Sequence, residues 1–202
     1  MKGVFIAIEG IDGCGKGTVI KKLANDLFDA NKDYHVLLTR EPYKRDWLKK
    51  FLSQLDPIAQ GEQALKLFVE DRAKHCKMID ACLKKGIIVL SDRYKHSTYA
   101  YQMAQGMPFE KIHELHKPLL IPDLTIIIDM PAAEAVRRLS TTGLDAHAFH
   151  KEEFLTKVRD NYLKLKELLM ENIIIIDGTK DRETVSAEAF KEVMALLRQR
   201  KS

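Results

Sequence analysis

A glycine-rich segment with a lysine, GIDGCGKGT at residues 10–18, contains the groups best suited to binding phosphate. Its glycines and Lys16 match the pattern G-x-x-x-x-G-K-[ST], in which backbone N–H groups and a lysine surround phosphate oxygens. The pattern requires a hydroxyl residue after the lysine, but Gly17 stands there and Thr18 follows one position later. The segment therefore predicts a nucleotide-binding loop with an altered Mg²⁺ position.

A second group of polar residues lies in SDRYKHSTYAYQ, at residues 91–102, directly after an apolar run. A carboxylate such as Asp92 can hold Mg²⁺ directly or through water, and the guanidinium of Arg93 can bind a phosphate with two parallel hydrogen bonds. An alternative is that Asp92 and Arg93 form a structural salt bridge.

A third group is TREP, at residues 39–42, which follows another apolar run. Arg40 lies within it, and Lys44 and Arg45 come just after it. Cations at the end of a strand suit a second anion. The alternative for Lys44 and Arg45 is a solvated basic turn.

A fourth group, in LFVEDRAKH, combines an aromatic and a cationic side chain. Phe68 and Arg72 are four residues apart and share one face of a predicted helix. A ring and a guanidinium side by side can stack on a base and hydrogen-bond its edge. The alternative is that Phe68 belongs to the core and Arg72 pairs at the surface with Glu70 or Asp71.

Short apolar runs alternate with helical periodicity along the chain. The runs predict five strands, at residues 4–8, 34–39, 87–91, 124–129 and 173–177. Helical spacing predicts helices that include residues 47–55, residues 62–85 with Gly86 as a stop signal, and residues 154–169. Strands that alternate with helices predict an α/β fold with a parallel sheet. Ligands of such sheets lie at the carboxyl ends of the strands, where the polar groups fall.

The composition fits one globular domain over residues 1–202, with 46% hydrophobic and 31% charged residues. No apolar run approaches the ~20 residues of a membrane helix, and no signal peptide is recognisable, so we expect no membrane partner. Three cysteines without a metal-site spacing favour a reducing, cytoplasmic compartment. The net charge of +4 suits phosphate ligands, and no nucleic-acid-binding motif is present.

Taken together, these motifs resemble those of thymidylate kinases, which phosphorylate dTMP with ATP. IEGIDGCGKGT, TREP, LFVEDRAKH, SDRYKHSTYAYQ and PDLTIIID occur in this order, between about residues 3 and 178. The resemblance implies a P-loop NTPase-type, three-layer fold with a five-stranded parallel sheet flanked by helices. It also implies a Mg²⁺-dependent reaction, a homodimer, and a lid near residues 140–153.

The resemblance and the motifs assign roles to individual residues. ATP is expected at Gly10, Ile11, Asp12, Gly13, Cys14, Gly15, Lys16, Gly17 and Thr18. The acceptor nucleotide is expected at Asp12, Arg40, Pro42, Lys44, Phe68, Arg72, Arg93, Ser97, Tyr101 and Gln102. The catalytic residues are expected to be Asp12, Lys16, Asp92 and Arg93, with Asp92 and Thr18 toward the metal.

The sequence departs from the family pattern in three places. The GKGT of the loop is similar to that of adenylate kinases, and TREP is followed by Tyr43, Lys44 and Arg45 where the family has glycines. Neither Gly13 of the loop nor the lid supplies the transition-state arginine of the family, although Arg137 and Arg138 precede the lid. Two alternatives therefore stay open: a kinase for another nucleoside monophosphate, and a nucleotide-binding regulator with weak turnover.

Overall fold

The computed structural model describes residues 2–44, 46, 60–140 and 148–200. The helix predicted over residues 47–55 lies outside these ranges, as do Arg45 and residues 141–147 of the predicted lid.

Five parallel strands form one sheet in the order β2-β3-β1-β4-β5. The strands are β1 (Phe5–Glu9), β2 (Val36–Arg40), β3 (Ile88–Asp92), β4 (Leu124–Asp129) and β5 (Ile173–Asp177). The predicted α/β fold with a five-stranded parallel sheet is confirmed, and the predicted bounds of β4 and β5 agree with the structure. The first three strands end one residue later than predicted, which adds Glu9, Arg40 and Asp92 to their carboxyl ends.

Seven helices flank the sheet in the described part of the chain. They are α1 (Lys16–Ala30), α2 (Gln60–Lys84), α3 (Lys95–Ala104), α4 (Phe109–His116), α5 (Ala132–Ser140), α6 (Ala148–Leu168) and α7 (Arg182–Gln199). The long predicted helix corresponds to α2, and the amide of Gly86 just beyond it donates to the carbonyl of Leu83. Across the described ranges, no helix is both long enough and apolar enough to cross a bilayer.

The core lies on both faces of the sheet, and β1 is buried along its whole length. Side chains alternate between the faces of a strand, so Ile6 and Ile8 pack in one apolar cluster while Phe5 and Ala7 pack in another. Burial on both faces explains why β1 reads as a continuous apolar run. It also anchors the loop that follows β1 at the carboxyl edge of the sheet.

Candidate active site

Two neighbouring clefts open at the carboxyl ends of the strands. The first, here called the loop cleft, has a volume of about 670 Å³, and its lining includes Gly15, Lys16, Gly17, Thr18, Arg40 and Asp92. The second, here called the aromatic cleft, has a volume of about 310 Å³, and its lining includes Pro42, Phe68, Arg72, Ser97, Tyr101 and Gln102. Asp12 and Arg93 line both clefts, so the two spaces meet at this pair of side chains.

The glycine loop turns sharply between β1 and α1. Gly13 and Gly15 have φ angles of 88° and 97°, in the left-handed region that side chains disfavour. A Cβ at Gly13 would also lie 2.5 Å from the carbonyl oxygen of Ala135. A P-loop arginine therefore does not fit at Gly13 in this backbone.

Lys16 begins α1 and is almost completely buried. Its ammonium donates to the carbonyls of Gly10 (3.0 Å) and Ile11 (2.8 Å), while Cys14 contributes a buried thiol 3.8 Å away. Burial, followed by the nearby positive charge of Arg93, lowers the pKa of Lys16. An anion bound at the loop would offset both effects, which is the electrostatic condition for a phosphate site.

Asp92 ends β3, and its Oδ1 is a buried atom without a hydrogen-bond partner among the described residues. A carboxylate oxygen of this kind suits Mg²⁺ or a water molecule of its hydration shell. Thr18 lines the same cleft, in the first turn of α1. The donor set therefore fits a magnesium ion held mainly by nucleotide phosphates and water.

Arg93 connects the two clefts. Its Nη2 donates to Oδ1 of Asp12 at 2.6 Å, and its Nη1 donates to Oγ of Ser97 at 2.9 Å. The alternative of an Asp92–Arg93 salt bridge is wrong, because the ion pair of Arg93 is with Asp12. The Asp12 side chain is 54% exposed, so partial desolvation raises its pKa only in part, and the charges of Arg93 and Lys16, with a hydrogen bond from Tyr101, lower it.

The sequence motifs did not single out Glu9, a buried carboxylate that contacts Arg93 through Ser97. Glu9 is completely buried and accepts hydrogen bonds from Ser97 Oγ (2.7 Å), the Tyr162 hydroxyl (2.9 Å) and the Tyr94 amide (2.7 Å). Ser97 therefore uses its proton on Glu9 and accepts from Arg93. An acidic residue at the end of a buried apolar strand is the signal that could have identified Glu9.

The aromatic cleft brings Phe68 and Arg72 together, as the helical spacing predicts. Phe68 is half-buried and lines the cleft, and Arg72 is only 3% exposed. The alternative for Arg72 is wrong, because it pairs with Glu41 at 2.6 Å and not with Glu70 or Asp71 at the surface. Gln102 is also buried, and its Oε1 has no partner within the described ranges.

Two hydrogen bonds from backbone amides to a side-chain carboxylate, together with a stacked pair of rings, stabilise the turn after TREP. The carboxylate of Asp71 accepts from the amides of Tyr43 (2.6 Å) and Lys44 (2.8 Å), and the ring of Tyr43 stacks on His75 at 4.8 Å. Lys44 is exposed with its ammonium 4.9 Å from the Tyr43 ring, and it lines neither cleft. Among the acceptor-site residues expected from sequence, Lys44 alone falls outside both clefts, since Arg40 lines the loop cleft and the remaining positions line the aromatic cleft.

Beyond the loop, a further cleft continues toward the start of α7. Its lining includes Gly13, Thr18, Arg138, Thr179 and Lys180. Arg138 donates to Glu134 at 3.0 Å, as does the exposed Arg137 at 2.7 Å. The segment after β5 carried no motif, and only its approach to the loop reveals it as part of the site.

Comparison with known proteins identifies the family. The sequence profile of the thymidylate kinase family matches residues 8–189. A probable thymidylate kinase of Thermococcus kodakarensis is 36% identical over 206 residues, covering 96% of this chain and 98% of the relative. Similar proteins of the same description from Methanococcoides burtonii (35% identical; 98% and 99% covered) and Pyrococcus horikoshii (39% identical; 87% and 88% covered) agree with it. The chain therefore belongs to the thymidylate kinase family.

Proposed function

We propose that this protein is an enzyme that transfers the γ-phosphoryl group of ATP to dTMP, giving ADP and dTDP. ATP phosphates lie in the loop cleft and dTMP lies in the aromatic cleft. The observation that carries this assignment is that Asp12 and Arg93 line both clefts, since a phosphoryl group must pass between donor and acceptor. The family match and the relatives described as probable thymidylate kinases favour this assignment over the two alternatives, another monophosphate acceptor and a regulator with weak turnover.

The chemistry requires positioning and charge neutralisation, because the attacking group is already an anionic phosphate oxygen and needs no strong base. Lys16 binds the donor phosphates at the start of α1. Arg93 exchanges its bond with Asp12 for the acceptor phosphate, and the Asp12 carboxylate is then available to the sugar hydroxyl. The Glu9–Ser97 contact keeps Arg93 at the junction during this exchange.

Mg²⁺ bound with ATP would neutralise part of the negative charge that develops on the transferred group. Asp92 is the residue best suited to hold it, through the Oδ1 atom that lacks a partner in the described structure. Thr18, which lines the same cleft, would supply the hydroxyl that Gly17 lacks.

The assay that separates the three functions measures steady-state turnover of Mg²⁺-ATP with a panel of nucleoside monophosphates. Turnover of dTMP ahead of the others supports the assignment. Preference for another acceptor supports the first alternative, and nucleotide binding without turnover supports the second.

The proposal also includes several properties that membership of the family implies. Residues 1–202 form one kinase domain, residues 140–153 act as its lid, and the enzyme works as a cytoplasmic homodimer. The match of the family profile over residues 8–189 supports the single domain. Light scattering of the purified protein tests the dimer.

Substitution of Gly17 by serine is expected to leave the enzyme active and to lower the Mg²⁺ concentration needed for half-maximal rate. Apart from its chain neighbours and the nearby backbone of α1, a Cβ at Gly17 would meet no described atom within 4 Å, so a serine hydroxyl has room in the loop cleft. The measurement is the Mg²⁺ dependence of turnover at saturating ATP and dTMP.

Gly13→Ser provides a contrast for this prediction, because its Cβ would lie 2.5 Å from a backbone oxygen. It is expected to lose both stability and activity. A folded but inactive Gly17→Ser enzyme would mean that another group occupies the space beside Gly17, and the proposed metal geometry would be wrong.

Base choice is expected to favour dTMP and dUMP well ahead of dCMP. Arg72 can donate to O4 of thymine, and the Oε1 of Gln102 can accept from N3–H. Cytosine presents an amino donor and a bare nitrogen at these positions, so both partners would be left unpaired. A buried unpaired group costs ~1–3 kcal/mol, or about 5- to 150-fold in kcat/KM.

The role of Arg72 in base selection is tested with Arg72→Lys. The lysine keeps a positive charge for Glu41 but lacks the planar set of N–H donors of a guanidinium. It is expected to narrow the difference in kcat/KM between dTMP and dCMP. Phe68→Ala serves as the comparison. It is expected to weaken the binding of all acceptor nucleotides by roughly 1–3 kcal/mol, because the stacking contact with the base is lost. An equal loss for dTMP and dCMP in Arg72→Lys would mean that Arg72 does not read the base.

A further inference from the structure

The guanidinium of Arg72 is held on three sides by described residues. Its Nε donates to Oε2 of Glu41 at 2.7 Å, and Nη2 lies 2.6 Å from the same oxygen. Nη2 also donates to Oγ1 of Thr98 at 2.9 Å, and Nη1 lies 2.6 Å from Nε2 of His116. A guanidinium carries five N–H groups, two of them on Nη1. Among the described residues, Nη1 has a hydrogen bond only with His116, and Arg72 lines the aromatic cleft, so the second hydrogen of Nη1 is available to a ligand there.

The chemistry of its two partners determines the protonation state of His116. Its Nδ1 lies 2.7 Å from the carbonyl oxygen of Ile112, which can only accept, so Nδ1 carries the hydrogen. Its Nε2 faces Arg72, which can only donate, so Nε2 must present its lone pair. The imidazole is therefore neutral, and the carbonyl of Ile112 orients it toward Arg72.

We infer that His116 is a positioning residue for base selection, which holds the Nη1 group of Arg72 so that its remaining hydrogen is aimed at O4 of the pyrimidine. The inference rests on the proposed function, because it assumes that the base of dTMP lies in the aromatic cleft. His116 is 1% exposed and does not line the aromatic cleft, so it would act on the base through Arg72. The partners of Arg72 have different roles. Glu41 compensates the charge of the guanidinium, and His116 and Thr98 orient its N–H groups.

The neutral state of His116 is a condition for this role and persists over the working pH range. Protonation would place a second cation 2.6 Å from a guanidinium in a buried site. Burial, followed by the charge of Arg72, lowers the pKa of His116 to about 3. Base selection should therefore show no titration of this histidine near neutral pH.

The same helix offers a matched control in His113, one turn before His116. His113 is half-buried, its Nδ1 lies 3.0 Å from the hydroxyl of Tyr99, and its ring stacks on Phe109. Removal of either imidazole takes a comparable volume from α4. Only the removal of His116 takes a hydrogen-bond acceptor from Arg72.

The experiment compares His116→Leu, His116→Gln and His113→Leu with the wild type, with dTMP and dCMP as acceptors. In His116→Leu, KM for dTMP should rise about tenfold, the scale of one lost hydrogen bond to a charged group, while kcat and KM for ATP stay unchanged. The ratio of kcat/KM for dTMP over dCMP should fall with it. His116→Gln can place its amide oxygen near the former Nε2 and should restore most of this ratio, and His113→Leu should leave the ratio unchanged.

Two results would overturn the inference. One is a folded His116→Leu enzyme with the wild-type KM for dTMP, and the other is an equal rise of KM in His116→Leu and His113→Leu. If His116→Leu does not fold, His116→Gln is compared with His116→Asn, whose shorter amide does not reach Arg72. Equal base selection in these two variants would then overturn it.

A wrong assignment of the proposed function would give results different from those of a wrong role for His116. If the wild type itself shows no preference for dTMP over dCMP, and Arg72→Lys does not change this, the base assignment of the aromatic cleft is wrong. If Arg72→Lys narrows the preference but His116→Leu does not, only the role of His116 is wrong.

Discussion

Replacement of Lys16 by alanine is expected to lower kcat for dTMP phosphorylation by ~10²-fold or more, the scale of one preorganised charge contact in a transition state. Lys16 is the buried cation at the start of α1, and its ammonium is held by the carbonyls of Gly10 and Ile11. Without the Lys16 ammonium, no fixed positive charge at this position stabilises the negative charge that develops on the transferred phosphoryl group. The measurement is steady-state turnover with saturating Mg²⁺-ATP and dTMP.

A matched control is Lys84→Ala, which removes an exposed lysine of α2 that pairs with Asp80. It should leave kcat unchanged. Lys16→Met keeps much of the length of the side chain without the charge, and it should be as slow as Lys16→Ala. Near-normal turnover in a folded Lys16→Ala enzyme would contradict the assignment of the loop to ATP phosphates.

Replacement of Glu41 by glutamine is expected to destabilise the folded protein by about 3–5 kcal/mol, because it leaves a buried guanidinium without its counter-charge. Glu41 and Arg72 have side chains that are 5% and 3% exposed, and they lie 2.6 Å apart. Glu41 also lies 3.0 Å from Nδ1 of His75, so its loss affects two buried partners. Urea-induced unfolding monitored by circular dichroism measures the change in free energy.

Two further variants separate the charge effect from a simple loss of packing. Glu62→Gln, on the exposed end of α2, should change the free energy of unfolding by about 0–1 kcal/mol, as expected for a surface ion pair. The double variant Glu41→Gln/Arg72→Met should be more stable than Glu41→Gln alone, because no unpaired charge remains in it. A double variant that is less stable than Glu41→Gln would show that the charge pair is not the main reason for the loss.

The sequence by itself determined the features that depend on short stretches of chain. The strand β1 is recognisable because burial on both faces demands apolar residues from Phe5 to Ile8, before the buried Glu9 that ends it. The loop before Lys16 is recognisable because its left-handed backbone at Gly13 and Gly15 favours glycine. Phe68 and Arg72 could be placed on one face because α-helical geometry relates residues four apart.

Tertiary structure alone decided which partners these residues have. Arg93 pairs with Asp12, 81 positions away, and not with its neighbour Asp92. Arg72 pairs with Glu41 and His116, which come from other segments of the chain, and not with the acidic residues beside it on α2. The physical reason is that a buried charge takes its partner from whichever chain segments converge on it. That convergence is set by the order β2-β3-β1 at the carboxyl edge of the sheet, which no local pattern encodes.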